Sequence, residues 1–177
     1  MTERAGYIPG LAPQDIAWQN LRFGSPDCAL DISVPTLSDT QMRTVAATVR
    51  AGGRRLKTLP TERIVDIIDR AAAQLLDRAH PVRRKAEDML PRITGYDAEM
   101  IRLGLTGYLK TFRKPELRKF LAEDFANPLI LDDFQPMPKG GFARAFGPGI
   151  LAHIWAGNVP GLPVWSLVSG LLVKAGN

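Results

Sequence analysis

The sequence predicts an α/β protein in which a helical amino-terminal region leads into the first strand and helix of a parallel-sheet domain. Two observations carry this. Between residues 38 and 126 apolar residues recur at helical steps behind capping signals, whereas Ile150 to Ala156 is almost continuously apolar, as in a strand covered on both faces. A break at Gly157-Asn158 follows, and Val164, Leu167, Val168, Leu171 and Leu172 then return at helical spacing. Strand, glycine-bearing turn and helix form the first half of a βαβ unit. Its turn lies where free N–H groups and the helix dipole favour an anionic ligand such as a nucleotide phosphate.

Taken in order, residues 1–37 hold Pro9, Pro13, Pro26 and Pro35 and read as an extended arm with one helix from Pro13 to about Leu21. Residues 38–126 read as the helical region. Ser38-Asp-Thr-Gln41 has the form of a capping box and Gly52-Gly53 that of a stop, which predicts a helix from Asp39 to Ala51. A second helix is expected from Thr61 to about Ala79, with Ile64, Ile67, Ile68, Ala71, Leu75 and Leu76 along one stripe. His80-Pro81 ends it, His80 acting as a carboxyl-terminal cap, and a shorter helix follows from Val82 to Leu90. Asp97 or Tyr96 opens the next, in which Gly104 and Gly107 mark either close helix packing or tolerated glycines, and Pro115 begins one more. Residues 127–146 change character: Leu129-Ile-Leu131 is a short strand signal, and Pro136, Pro138 and Gly140-Gly141 are turn signals. Residues 147–177 then begin the parallel-sheet domain, with Pro163 suited to the first turn of its helix. A parallel sheet needs a further strand after that helix, so the chain is read as an amino-terminal fragment of a longer protein.

Composition narrows the function classes. The formal charge is +5, but residues 41 to 120 hold 18 Lys or Arg against 9 Asp or Glu. A basic middle attracts polyanions, yet acids are interspersed, so a solvated helical surface is favoured over a nucleic-acid site. The single cysteine, Cys28, excludes an internal disulfide framework and suits a reducing cytoplasm. It stands in Ser25-Pro-Asp-Cys28 with no activating histidine nearby, which makes it structural. The longest apolar run, Val159 to Val173, spans 15 residues and contains two prolines and two glycines, too short and too interrupted for a membrane span. No metal-ligand spacing surrounds His80.

Gly147-Pro-Gly149-Ile-Leu-Ala152 fits a Gly-x-Gly-x-x-Ala string, but it precedes the expected strand instead of following one, so its glycines are assigned to the bend into the sheet. His153, inside the apolar run, is a satisfied core histidine or a catalytic base, the former favoured. Trp155 and Trp165 read as packing residues, and Lys174 is placed on the last helical turn, where it would complement the dipole. Asn158 is either a turn asparagine or a side-chain donor aimed at a reacting group.

Ala156-Gly-Asn-Val-Pro160, preceded by Arg144-Ala-Phe-Gly-Pro148 and followed by Lys174-Ala-Gly-Asn177, resembles the long-chain acyl-CoA reductases of the LuxC type, a branch of the aldehyde dehydrogenase superfamily. Asn158-Val-Pro160 is similar to that superfamily's Asn-Phe-Pro, and the second Gly-Asn follows 19 residues after the first. The specific match covers Phe142 to Asn177. The resemblance implies an aldehyde-dehydrogenase-like fold, with residues 127–146 as a β-arm that reaches an oligomerisation contact and residues 147–177 as the start of a Rossmann-like cofactor domain. It implies NADPH-dependent reduction of a fatty acyl-CoA to the aldehyde through a cysteine thioester, the nucleophilic cysteine lying beyond residue 177, so that this chain alone would be inactive. Asn158 is then the oxyanion donor, while Trp155, Ala156, Gly157 and Pro160 lie against the cofactor. A homo-oligomer or a complex with other subunits is expected, without nucleic acid. Two alternatives stand beside this: another oxidoreductase of the same superfamily, and a non-enzymatic basic helical module that binds nucleic acid or protein.

Overall fold

Cross-strand pairing governs how the chain starts. The computed structural model of the protein describes residues 2–26, 29–155 and 161–177. It divides into two compact units, Met1–Thr48 with Asp77–Thr106, and Val49–Leu76 with Gly107–Asn177. In the first, β1 (Thr2–Arg4), β2 (Ala17–Phe23) and β3 (Leu30–Thr36) form a sheet of order β1-β3-β2, with β1 parallel and β2 antiparallel to β3. The helix expected from Pro13 to Leu21 does not form: a 3-10 turn at Pro13–Asp15 gives way to β2. The reason is pairing across the sheet. Arg22 bonds twice to Asp31 directly opposite, at 2.7 and 3.0 Å, and two residues along Ser33 Oγ donates to Asn20 Oδ1 at 2.6 Å. Leu30 and Ile32 point to the other face and are buried.

The capping box forms. Gln41 N donates to Ser38 Oγ at 3.3 Å, and Ser38 N donates to Gln41 Oε1 at 2.9 Å. Helix α1 (Asp39–Leu56) then passes straight through Gly52-Gly53 instead of stopping there. Gly53 serves packing: a Cβ on it would meet Gly176 N at 2.8 Å and Gly149 O at 3.2 Å, whereas nothing lies within 4 Å of one on Gly52. Helix α2 (Thr61–Leu76) buries Ile64, Val65, Ile68 and Ala72. Its stripe is thus rotated from the expected one, and Ile67 is left 43% exposed.

His80 does not cap the end of α2. With φ −64° and ψ 131° it precedes α3 (Pro81–Thr94), because the proline ring favours the first helical position and forces extended backbone on the residue before it. Gly95, at φ 74°, closes α3 by donating its N–H to Pro91 O. Arg83 of α3, 1% exposed, donates to Glu87 Oε1, Arg102 O and Thr106 Oγ1 at 2.7 to 3.0 Å, fastening α3 to α4 (Ala98–Lys110). Asp97 caps α4 by accepting from Glu99 N at 2.8 Å. A Cβ on Gly104 or Gly107 would meet nothing within 4 Å, so they are tolerated glycines and not close-packing ones.

The core of the second unit joins α2, α5 (Lys114–Asp124) and α6 (Leu162–Leu172) through Ile64, Val65, Ile68, Phe112, Leu117, Leu121, Val168 and Leu172. Ring contacts at 4.9 Å (Phe112 to Trp165) and 5.3 Å (Phe120 to Trp165) continue it. The strand signal at Leu129–Leu131 is answered by a 3-10 turn, Pro128–Leu131, because Asn127 caps it from the side chain and Leu131 turns into the core. A short antiparallel pair, β4 (Gln135–Pro136) and β5 (Phe142–Ala143), follows. The described residues therefore make a mixed α/β structure with six helices and two small sheets. No helix among them is long and apolar enough to cross a membrane.

The two neighbouring glycines of α1 should respond oppositely to the same change. Gly52→Ala, free of contacts and exposed, should stabilise the protein by about 1 kcal/mol, whereas Gly53→Ala should destabilise it by about 2 kcal/mol because only backbone could give way. Urea unfolding of the two variants checks the sign of each.

Candidate functional site

Two glycines draw the carboxyl-terminal segment close to the helices. A Cβ on Gly147 would fall 2.0 Å from Val173 O, and one on Gly161, which stands at φ 100° before α6, would meet the Tyr108 ring at 2.7 Å. Between them the chain was expected to form a buried strand, and it does not. Residues 150–155 carry no strand pairing, Ile154 is 98% exposed and Trp155 47%. An apolar run becomes a buried strand only when neighbouring strands satisfy its N–H and C=O groups. Among the described residues this segment makes one such backbone bond, Leu151 N to Gly176 O at 2.7 Å.

His153 is nevertheless satisfied. One ring nitrogen lies 2.7 Å from Ser166 Oγ on α6 and the other 2.9 Å from Asn177 Oδ1, and the ring stacks on Trp155 at 5.4 Å. This imidazole joins the segment before the turn to the helix after it, and borders a cleft of about 510 Å³ lined also by Leu151, Ser166, Ser169 and Gly170. It orients Trp155, one of the expected cofactor contacts. The other expected site residues, Ala156, Gly157, Asn158 and Pro160, lie outside the described residues, as does Cys28.

Helix α6 begins after Gly161 with Pro163 in its first turn and with no side-chain cap. It buries Val168, Gly170 and Leu172, while Val164 and Leu167, expected on the same stripe, are 40% and 38% exposed. Lys174 is not on its last turn. It is the only non-glycine residue among those described with positive φ, 60°. Lys174 N bonds to Leu171 O and Ala175 N to Gly170 O, which closes the helix in a Schellman turn at a position where glycine is usual.

The lysine is held there by its side chain. Lys174, 5% exposed, places Nζ 2.5 Å from Asp132 Oδ1, and the same oxygen accepts from Thr61 N at 2.8 Å and Thr61 Oγ1 at 2.7 Å. Burial alone would raise the pKa of Asp132. The bonds from Lys174 and Thr61, with the lysine charge, outweigh it and hold the carboxyl below the usual carboxylate range. Forty-two residues separate the partners, so periodicity gave no sign of the pair. The one available hint was a lysine in place of glycine after an apolar helix. Among the described residues no group of three or more His, Cys, Asp or Glu side chains could hold a metal ion.

A family model described as acyl-CoA reductase (LuxC) matches residues 56–177, a stretch that contains α2 to α6 and this site. No curated protein and no solved structure matches the chain.

A carboxyl whose folded value is depressed adds stability that is complete above its unfolded value and is lost as pH falls through the folded one. Asp132→Asn should therefore cost about 3 kcal/mol at pH 7, leaving a buried lysine unpaired, and the cost should shrink as pH falls below about 4. Urea unfolding at a series of pH values measures both.

Proposed function

Because the chain belongs to the acyl-CoA reductase (LuxC) family, we propose that it forms the amino-terminal part of an enzyme that reduces a long-chain fatty acyl-CoA to the aldehyde with NADPH. The family match over residues 56–177 is the observation that carries this reading, and it weighs against the basic module as an alternative. In this reading the fold is aldehyde-dehydrogenase-like, with the start of the cofactor domain at residues 147–177. The β4–β5 pair stands where the resemblance puts the arm of an oligomer contact. The working protein is then a cytoplasmic homo-oligomer or complex.

The residues present fit a nicotinamide dinucleotide. Helix α6 starts without a side-chain cap, so its amino end can face an anion, and the half-exposed Trp155 ring stacks on His153, which is tied to Ser166 of that helix. Trp155, Ala156, Gly157 and Pro160 would hold the cofactor, which supplies a hydride when bound.

Asn158 is assigned the electrostatic step. When a cysteine thiolate adds to the thioester carbonyl, negative charge develops on the carbonyl oxygen, and a fixed side-chain amide donates to it there. That cysteine is taken from beyond residue 177, since Cys28 is the sequence's single cysteine and has no activating neighbour in its motif. His153, with Ser166 and Asn177, positions the segment that enters the turn.

In the enzyme carrying its cysteine, Asn158→Ala should lower kcat by roughly 100- to 1,000-fold with little change in acyl-CoA binding. A variant that melts early but turns over near normally while folded would assign Asn158 to the turn and remove its catalytic role.

A further inference from the structure

From Thr40 to Thr61 the chain carries five cations, Arg43, Arg50, Arg54, Arg55 and Lys57, and no acid. In the second unit the acids nearby in sequence are engaged elsewhere. Glu62, Asp66 and Asp69 pair with Arg113, Lys114 and Arg118, and Asp132 with Lys174. Among the described residues no ion pair reaches Arg50, Arg54, Arg55 or Lys57, and Arg50 and Arg54 are exposed. At about 100° per residue, Arg50, Arg54 and Lys57 all fall within about 100° on one side of Gly53, in a run about 10 Å long. Lys57 extends the helical bonding by donating to Gly53 O at 3.1 Å.

Gly53 fixes where this stripe lies. It packs on the backbone of Gly149 and Gly176, and Gly176 O accepts from Leu151, so the helix turn that carries the cations lies against the segment that leads into the candidate site. The helix dipole accounts for Arg54 and Arg55 in the last turn. It does not account for Arg50, since the dipole effect fades within that turn.

We propose that Arg50, Arg54 and Lys57 form a binding site for the phosphates of coenzyme A. The inference rests on the acyl-CoA reading and assigns the part of the substrate remote from the thioester. Three cations suit the clustered diphosphate and 3′-phosphate of one coenzyme. A nucleic-acid duplex, by contrast, draws its affinity from about 6 to 10 phosphate contacts.

The test compares two acyl thioesters in the full-length enzyme: octanoyl-CoA, and S-octanoyl-N-acetylcysteamine, which has no phosphate. The triple variant Arg50→Gln, Arg54→Gln, Lys57→Gln should bind octanoyl-CoA about tenfold more weakly and with a smaller salt dependence, while handling the phosphate-free thioester as the unaltered enzyme does. Should the triple variant melt early, Arg50→Gln alone should still weaken octanoyl-CoA binding by about twofold. Unchanged octanoyl-CoA binding in both variants would overturn the site while leaving the reductase reading intact. Loss of NADPH binding with octanoyl-CoA unaffected would give the stripe to the cofactor's phosphates, and duplex DNA bound more tightly than octanoyl-CoA would give it to nucleic acid; either overturns the proposal. If the unaltered enzyme neither binds nor reduces these thioesters or tetradecanoyl-CoA, the acyl-CoA reading itself fails.

Discussion

The contact between Lys174 and Asp132 is the constraint on which the second unit's carboxyl-terminal segment depends. A left-handed backbone costs a side-chain-bearing residue about 1 kcal/mol or more, and an unpaired buried ammonium costs several times that. Both costs are met at one carboxyl oxygen, which also takes the first N–H of α2. A helix start, a 3-10 turn and a helix end are thereby fixed to one point. Ala175 and Gly176 follow directly, both buried and Gly176 packed on α1, and Gly176 in turn holds Leu151. The path from a buried ion pair to the segment bearing His153 and Trp155 is short and wholly within one unit.

Local signals were legible where local chemistry decides. The Ser38-Gln41 box, the Asp97 cap, the proline starts of α5 and α6, and the existence of α2 all appear where the residues indicate. Two of the failures trace to a partner distant in sequence. Ala17 to Phe23 is a strand because Asp31 and Ser33 face it. Gly53 is a packing residue because Gly149 and Gly176 press on it, and the same two letters, Gly-Gly, read equally well as a stop. The apolar run at 150–155 shows the reverse: hydrophobicity marks a segment for burial, but strand formation requires a ladder, and Ile154 stays exposed without one.

The family was legible in the sequence, while Ala156, Gly157, Asn158 and Pro160 of the expected site lie outside the described residues. The motif from Phe142 to Asn177 named a family that the match over residues 56–177 supports. His153 as a satisfied histidine was read from its apolar surroundings, but its partners, Ser166 and Asn177, stand 13 and 24 residues away and carried no signal. The charge of the middle region also acquired a finer meaning. Acids and bases interspersed on α2 and α5 are joined by folding into matched pairs, whereas the acid-free run on α1, visible in the sequence itself, leaves Arg50, Arg54, Arg55 and Lys57 without an ion pair among the described residues.

Amide hydrogen exchange in a Lys174→Met variant tests the central role of the ion pair most directly, because two reporters sit on the proposed path. Thr61 N bonds to Asp132 itself, and Leu151 N bonds to Gly176 O two residues beyond Lys174. If Lys174 holds this segment in place, protection at both amides should fall by about tenfold or more, while Ala5 N, bonded to Ser33 O in the first unit, keeps its protection. Undiminished protection at Thr61 and Leu151 in a folded Lys174→Met protein would contradict the account.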